Sequence, residues 1–174
     1  MRRLLPLNTS KDYEVFYGKI LQAVAKYPFL KPMILGYNGF VTKLMYLLYP
    51  LLLIFLYMEN RQDLWKTILV PGVSFLLISV FRRMFNQPRP YETWPITPIM
   101  NRDGQGESFP SRHVFSASII SMCFLFQFAW LGLFLLILTL GLAVCRVLGG
   151  VHYPKDVLAG YLLGIFGGMM LTLF

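Results

Sequence analysis

Charge is what this 174-residue chain has least of. Asp, Glu, Lys and Arg together make up 14% of it, against roughly 25% in a soluble domain. Apolar residues make up 56%, more than a soluble domain of this size can hide, so the bilayer is read as the solvent. Carboxylates number 8 and nowhere cluster as a hard metal ion requires, so no metal and no cofactor are expected. Histidine occurs only as His113 and His152. The two cysteines, Cys123 and Cys145, lie in apolar runs, which argues for free buried thiols over a disulfide. The opening MRRLLPLNTSKDYE has no apolar run long enough for a cleaved signal peptide, so internal spans are expected to drive insertion.

The charge that remains is one-sided, with a net value of +8. Such a balance suits nucleic acid, anionic headgroups or a phosphate-bearing substrate. No soluble basic domain exists to carry nucleic acid, which leaves the bilayer and a phosphorylated lipid as expected partners.

A crossing needs about 20 mostly apolar residues. Val41–Met58 and Leu64–Phe81 each fit, with a polar turn at 59–63 between them. Val114–Val144 carries no charged residue. As one helix it would reach about 47 Å, too long for a single crossing. A hairpin turning near Gln127 is expected, with Phe126, Phe128 and Trp130 as an interfacial aromatic belt. Val157–Phe174 is a fifth span. Asp12–Tyr27 places Val15, Phe16, Ile20 and Val24 near helical spacing and reads as an amphipathic interfacial helix, with a sixth crossing as the alternative. The fold class expected is an all-α transmembrane bundle of five or six spans. Residues 1–38 would form an N-terminal interfacial segment and 39–174 a membrane domain.

Five spans put the proline-rich loop 82–112 and the short loop 148–155 on one face. Arg82, Arg89, Arg112, Arg146, both histidines and Asp156 gather there. Ionisable groups at membrane depth are costly and point to function. His152 and Asp156 are one helical turn apart if the last helix starts near His152. A carboxylate so placed can hold Nδ1–H and leave Nε2 free to attack. Asp156, Gly160, Gly164 and Gly168 recur every four residues, a stripe that admits a close helix neighbour and turns Asp156 inward. Ser111 reads as the N-cap of the following helix, where free amides suit a phosphate. His113, in that helix's first turn, is placed to protonate a leaving oxygen. The arginines offer planar forks for phosphate oxygens and can neutralise a phosphoryl transition state.

These residues resemble the three motifs of the type 2 phosphatidic acid phosphatase superfamily, whose soluble relatives include vanadium haloperoxidases. The motifs run Lys-x6-Arg-Pro, Pro-Ser-Gly-His and Ser-Arg-x5-His-x3-Asp. Here they appear as Arg82-x6-Arg89-Pro90, Pro110-Ser111-Arg112-His113 and Cys145-Arg146-x5-His152-x3-Asp156. The resemblance implies a helical, metal-independent lipid phosphatase. His152 would be the nucleophile, Asp156 its orienting carboxylate and His113 the leaving-group acid. Arg82, Arg89, Ser111 and Arg146 would bind phosphate. Three positions depart from the pattern: Arg82 for lysine, Cys145 for serine, and Arg112 for glycine, whose side chain is free to reach a second phosphate or a headgroup.

Undecaprenyl diphosphate, phosphatidylglycerophosphate and phosphatidic acid are the candidate substrates. A second reading, a non-catalytic protein that binds phosphate-bearing headgroups, predicts that His152 is dispensable. A third, an oxidative enzyme using vanadate, follows only by analogy with the soluble relatives. Basic residues outside the motifs fall mainly on the site's face, which by the positive-inside rule would put it in the cytoplasm. The resemblance to envelope-lipid enzymes instead implies an outward-facing site.

Overall fold

The structure is a computed structural model that describes residues 10–102 and 104–172, with side chains from residue 13 onward. The reading of the first residues as lacking a cleaved signal peptide falls mostly outside this range. Among the described residues the chain is helical, without a strand. The elements are α1 (Ser10–Lys26), α2 (Leu30–Glu59), α3 (Arg61–Phe85), a single turn α4 (Pro90–Thr93), α5 (Arg112–Gln127), α6 (Ala129–Leu148), α7 (Pro154–Met169) and a 3-10 turn, Met170–Thr172.

Three stretches are long and apolar enough to cross a membrane: Leu30–Glu59, Arg61–Thr93 and Ala129–Leu148. They contain the first two expected spans and overlap the hairpin, while the helix at the expected fifth span, Val157–Phe174, is not among them; α2 extends well beyond Val41–Met58, running unbroken through residues 38 and 39. The expected hairpin is also present. α5 ends at Gln127, α6 starts at Ala129, and Phe126, Phe128 and Trp130 are exposed at the turn. α5 and α7 have 16 residues each, about 24 Å of helix. They are the inner pair, packed on each other, with α6 against both. The outward faces of α2, α3, α6 and α7 carry exposed Leu, Ile, Val, Phe and Met side chains over most of their length. An apolar surface of that extent belongs in hydrocarbon, and the chain is a membrane protein.

The polar turn between α2 and α3 is built as a cap. Asn60 is extended, and its side chain accepts from the amides of Gln62 and Asp63, as good N-caps do. Gln127 Nε2 donates to Asp63 at 3.3 Å, which fixes the end of α5 beside the start of α3. At the other end, α1 lies across the loops. Tyr17 is fully buried, and its hydroxyl accepts from the amide of Ile99 at 3.1 Å. Ile20, Leu21 and Val24 join Tyr91, Ile96, Met100 and Val151 in one apolar cluster. Of the apolar residues expected to form one stripe on α1, Ile20 and Val24 thus pack on the loop end of the bundle, whereas Val15 and Phe16 stay exposed.

The glycine stripe sets how closely α7 meets α5. A Cβ at Gly160 would lie 2.6 Å from the carbonyl oxygen of Ser111. At Gly164 it would lie 2.7 Å from that of Phe115, and at Gly168 2.3 Å from Met122 Cβ. Within a bilayer, helix association rests on such packing, since lipid tails are as apolar as leucine. The contact has a chemical result: the Ser111 amide donates to the Asp156 carbonyl at 2.9 Å, joining the second and third motifs.

Candidate functional site

A cavity of ≈ 130 Å³ opens at the loop end, lined by Arg82, Arg89, Arg112, His113 and His152. Five of the eight expected site residues thus meet on one wall. Arg82 comes from the last turn of α3, Arg89 from the N-cap of α4, Arg112 and His113 from the first turn of α5, and His152 from the α6–α7 loop. The other three stand around it. Asp156 is buried behind His152 in the first turn of α7. Arg146, buried on the last turn of α6, is close enough for its charge to act on His152. Ser111 is the N-cap of α5, but its hydroxyl does not cap the helix. Its buried Oγ has no hydrogen-bond partner among the described residues.

Arg82 and Arg89 are held by loop backbone. An Arg82 Nη donates to the Pro110 carbonyl, and the guanidinium lies 3.9 Å from Glu107. Arg89 Nε donates to the Gly106 carbonyl at 3.0 Å. Glu92 joins the two limbs of this loop: its carboxylate accepts from the Arg89 amide at 2.7 Å and from the Gly106 amide at 2.9 Å. Gly106 is left-handed (φ +62), and a Cβ there would strike the side chain of Asn86. The α6–α7 loop needs a similar residue at Gly150 (φ +76), where a Cβ would lie 2.4 Å from the Tyr17 hydroxyl. The Met100 amide donates to the Gly149 carbonyl at 3.1 Å and ties this loop to the longer one.

His152 turns Nδ1 towards Asp156, 3.6 Å from Oδ2. Ser108 Oγ donates to that same oxygen and stands 3.5 Å from Nδ1. The Tyr153 amide donates to Oδ2 at 3.1 Å. Burial pushes the His152 imidazole down to about 4. The neighbouring Asp156 carboxylate works the other way, and the charges of Arg146 and Arg89 add to the depression. A neutral imidazole surrounded by arginines has a nitrogen lone pair to offer, beside a positive potential suited to an anion.

Ser108 and Glu92 were missed by sequence reasoning. Ser108 stands two residues before Pro110, and a serine bordering a motif was the only available signal. Glu92 acts on backbone amides, a role that residue type alone does not disclose.

A second, larger cavity of ≈ 370 Å³ adjoins the first and shares Arg112 and His113 with it. Its wall is otherwise mostly apolar, with Met45, Tyr46, Phe75, Ile120 and Leu142. Arg112 lies over the ring of Phe75, 5.9 Å from its centre.

Known proteins are similar to the chain in sequence and in fold. A lipid A 4'-phosphatase of Bacteroides thetaiotaomicron is 30% identical over 140 residues, covering 70% of this chain and 61% of that protein. The chain thus spans about three fifths of that relative's length. The crystal structure of LpxE from Aquifex aeolicus superposes with a TM-score of 0.70 at 24% identity, over 91% of this chain and 93% of that one. That of a PAP2-type phosphatidylglycerolphosphate phosphatase from Bacillus subtilis gives 0.71 at 19% identity, over 95% and 87%. Both structures share the fold, and a sequence model described as the PAP2 superfamily matches residues 63–174, well over half the chain: the protein belongs to the PAP2 superfamily.

Proposed function

We propose that the protein is a lipid phosphatase that works through a phosphohistidine at His152 and needs no metal. The observation that carries this reading is the pairing of two cavities. The small one is cationic, the large one apolar, and they share Arg112 and His113. A phosphate on a hydrocarbon tail fits such a pair; a soluble phosphate ester has no use for the apolar half.

In this reading Nε2 of His152 attacks phosphorus and the bond to the leaving oxygen breaks. His113 supplies the proton that oxygen takes. Water then attacks phosphorus, the P–Nε2 bond breaks to release phosphate and free His152, and His113 accepts the water's proton. Arg82, Arg89 and Arg146 neutralise the phosphoryl oxygens, a charge that metal ions neutralise in other phosphoryl-transfer enzymes. Ser111 Oγ, buried and unpartnered among the described residues, donates to one of them. Undecaprenyl diphosphate, phosphatidylglycerophosphate and phosphatidic acid remain the candidate substrates, and the similarity to a lipid A 4'-phosphatase adds a phosphorylated glycolipid. Arg112 takes a second anionic group of the substrate. The site faces outward.

The test is phosphate release by detergent-purified protein from a panel of these lipids, in excess EDTA, with His152→Ala alongside. Release that survives EDTA and is lost in the variant is the expected result. No release from any lipid, or equal release from the variant, would favour the headgroup-binding reading.

A further inference from the structure

The phosphohistidine reading asks Asp156 to hold His152, yet the two side chains are too far apart for a good direct hydrogen bond. Nδ1 and Oδ2 are separated by 3.6 Å, beyond the usual 2.7–3.2 Å range. Ser108 Oγ stands beside both, bonded to Oδ2 and 3.5 Å from Nδ1, so it is a second acceptor within almost the same reach of Nδ1. A hydroxyl has one proton to donate and lone pairs with which to accept. Its proton is committed to Asp156, so its lone pairs are what Nδ1 meets.

We propose that Ser108 is a positioning residue that accepts Nδ1–H from His152 while donating to Asp156, and so holds the imidazole in the tautomer whose Nε2 is unprotonated. The proposal rests on the phosphohistidine reading for its purpose, though not for its geometry.

Several features fix the arrangement. Ser108 is fully buried, so water does not compete for its hydroxyl. Its amide donates to the Gln87 carbonyl at 2.8 Å, which anchors it to the loop that carries Arg89. The Tyr153 amide holds Oδ2, which restrains the carboxylate from swinging towards the ring. The charges acting on His152 are Asp156 from α7, Arg146 from α6 and Arg89 from the start of α4, and Arg82 and Arg112 line the same cavity. With cations outnumbering the one carboxylate beside it, the ring stays neutral and carries one N–H. Where that proton resides decides the chemistry. On Nε2 it would present a donor to phosphorus; on Nδ1 it leaves a lone pair. Ser108 is the acceptor that favours Nδ1.

The tautomer is measurable without turnover, because the chain has only two histidines. Nitrogen NMR of isotope-labelled histidine in lipid nanodiscs, assigned with a His113→Asn variant, reads it directly. The expected result is an Nδ1–H tautomer for His152 in the native protein and a shift towards Nε2–H in Ser108→Ala. kcat on the best lipid of the panel should fall about 10- to 100-fold, with KM little changed. Ser121→Ala, which removes another buried hydroxyl, bonded to the Ala117 carbonyl, should alter neither quantity. Ser108→Cys keeps the volume with a weaker acceptor and replaces the alanine variant if that one does not fold. An unchanged tautomer in a folded Ser108 variant would overturn the proposal. A shifted tautomer in a protein that hydrolyses no lipid would support the bridge and count against the phosphatase reading.

Discussion

At His152 three influences compete, and burial outweighs the pull of Asp156. A histidine held at about 4 but free to titrate near 6.5 when unfolded has a definite linkage. Between those values the unfolded chain binds a proton that the folded chain refuses. The stabilising effect of neutral His152 is complete above about pH 6.5 and is lost as pH falls towards 4. The melting temperature in detergent should therefore drop across that window, and His152→Gln should flatten the drop. A native melting curve no more pH-sensitive there than the variant's would show that His152 is not held neutral. A second expectation concerns Arg112. If it binds a second anionic group, Arg112→Gly should cut kcat/KM on a diphosphate lipid by about 10- to 100-fold, as loss of a charged hydrogen bond does, and spare a simple monophosphate. Equal losses on both would remove it from substrate selection. These residues were legible in the sequence because ionisable side chains are rare in an apolar chain, so each one stands out. Ser108 was not, because the role proposed for it comes from touching two other side chains at once, a relation that spacing along the chain does not encode.

The α5–α7 contact is the element on which the site depends. It brings Ser111 to the backbone of Asp156 and has no space for a methyl group at Gly160. Gly160→Ala should force the helices apart, costing about 1–3 kcal/mol as overpacking does, with phosphate release falling alongside. Gly72→Ala on α3 is the contrast, since a Cβ there meets nothing within 4 Å. It should be neutral or stabilising by up to about 1 kcal/mol. Equal effects at the two positions, measured by thermal unfolding and turnover, would contradict the close-packing account. The stripe itself could be read from the sequence, because its four-residue period is the helix's own. Helix lengths could be read less well. Hydropathy marks where a helix enters hydrocarbon, whereas α2 continues past that point through Tyr37, Asn38 and Lys31 to Leu30. Backbone hydrogen bonds decide where it ends, and they are indifferent to polarity.

For the whole molecule, the open question of function is which side of the membrane the loop end faces. Lys155, exposed beside the site, is a suitable reporter, and the native cysteines are buried. If the site faces outward, Lys155→Cys in intact cells should react with a membrane-impermeant maleimide; protection until the cells are lysed would reverse the orientation. The number of spans was legible only in part. Three helices announce themselves by length and apolarity, while α5 and α7 are shorter, and protein covers nearly all of α5 and the inner face of α7. α5 shows this most clearly: of its residues only Arg112 and Phe126, one near each end, are exposed. Bilayers differ in thickness, and embedded helices respond by tilting. That adjustment falls to α2, α3 and α6, which form much of the outer wall. The helix bearing Ser111, Arg112 and His113 is shielded from it, so that limb of the site is mechanically insulated from the membrane, whereas Arg82 on α3 and Arg146 on α6 ride on the outer wall.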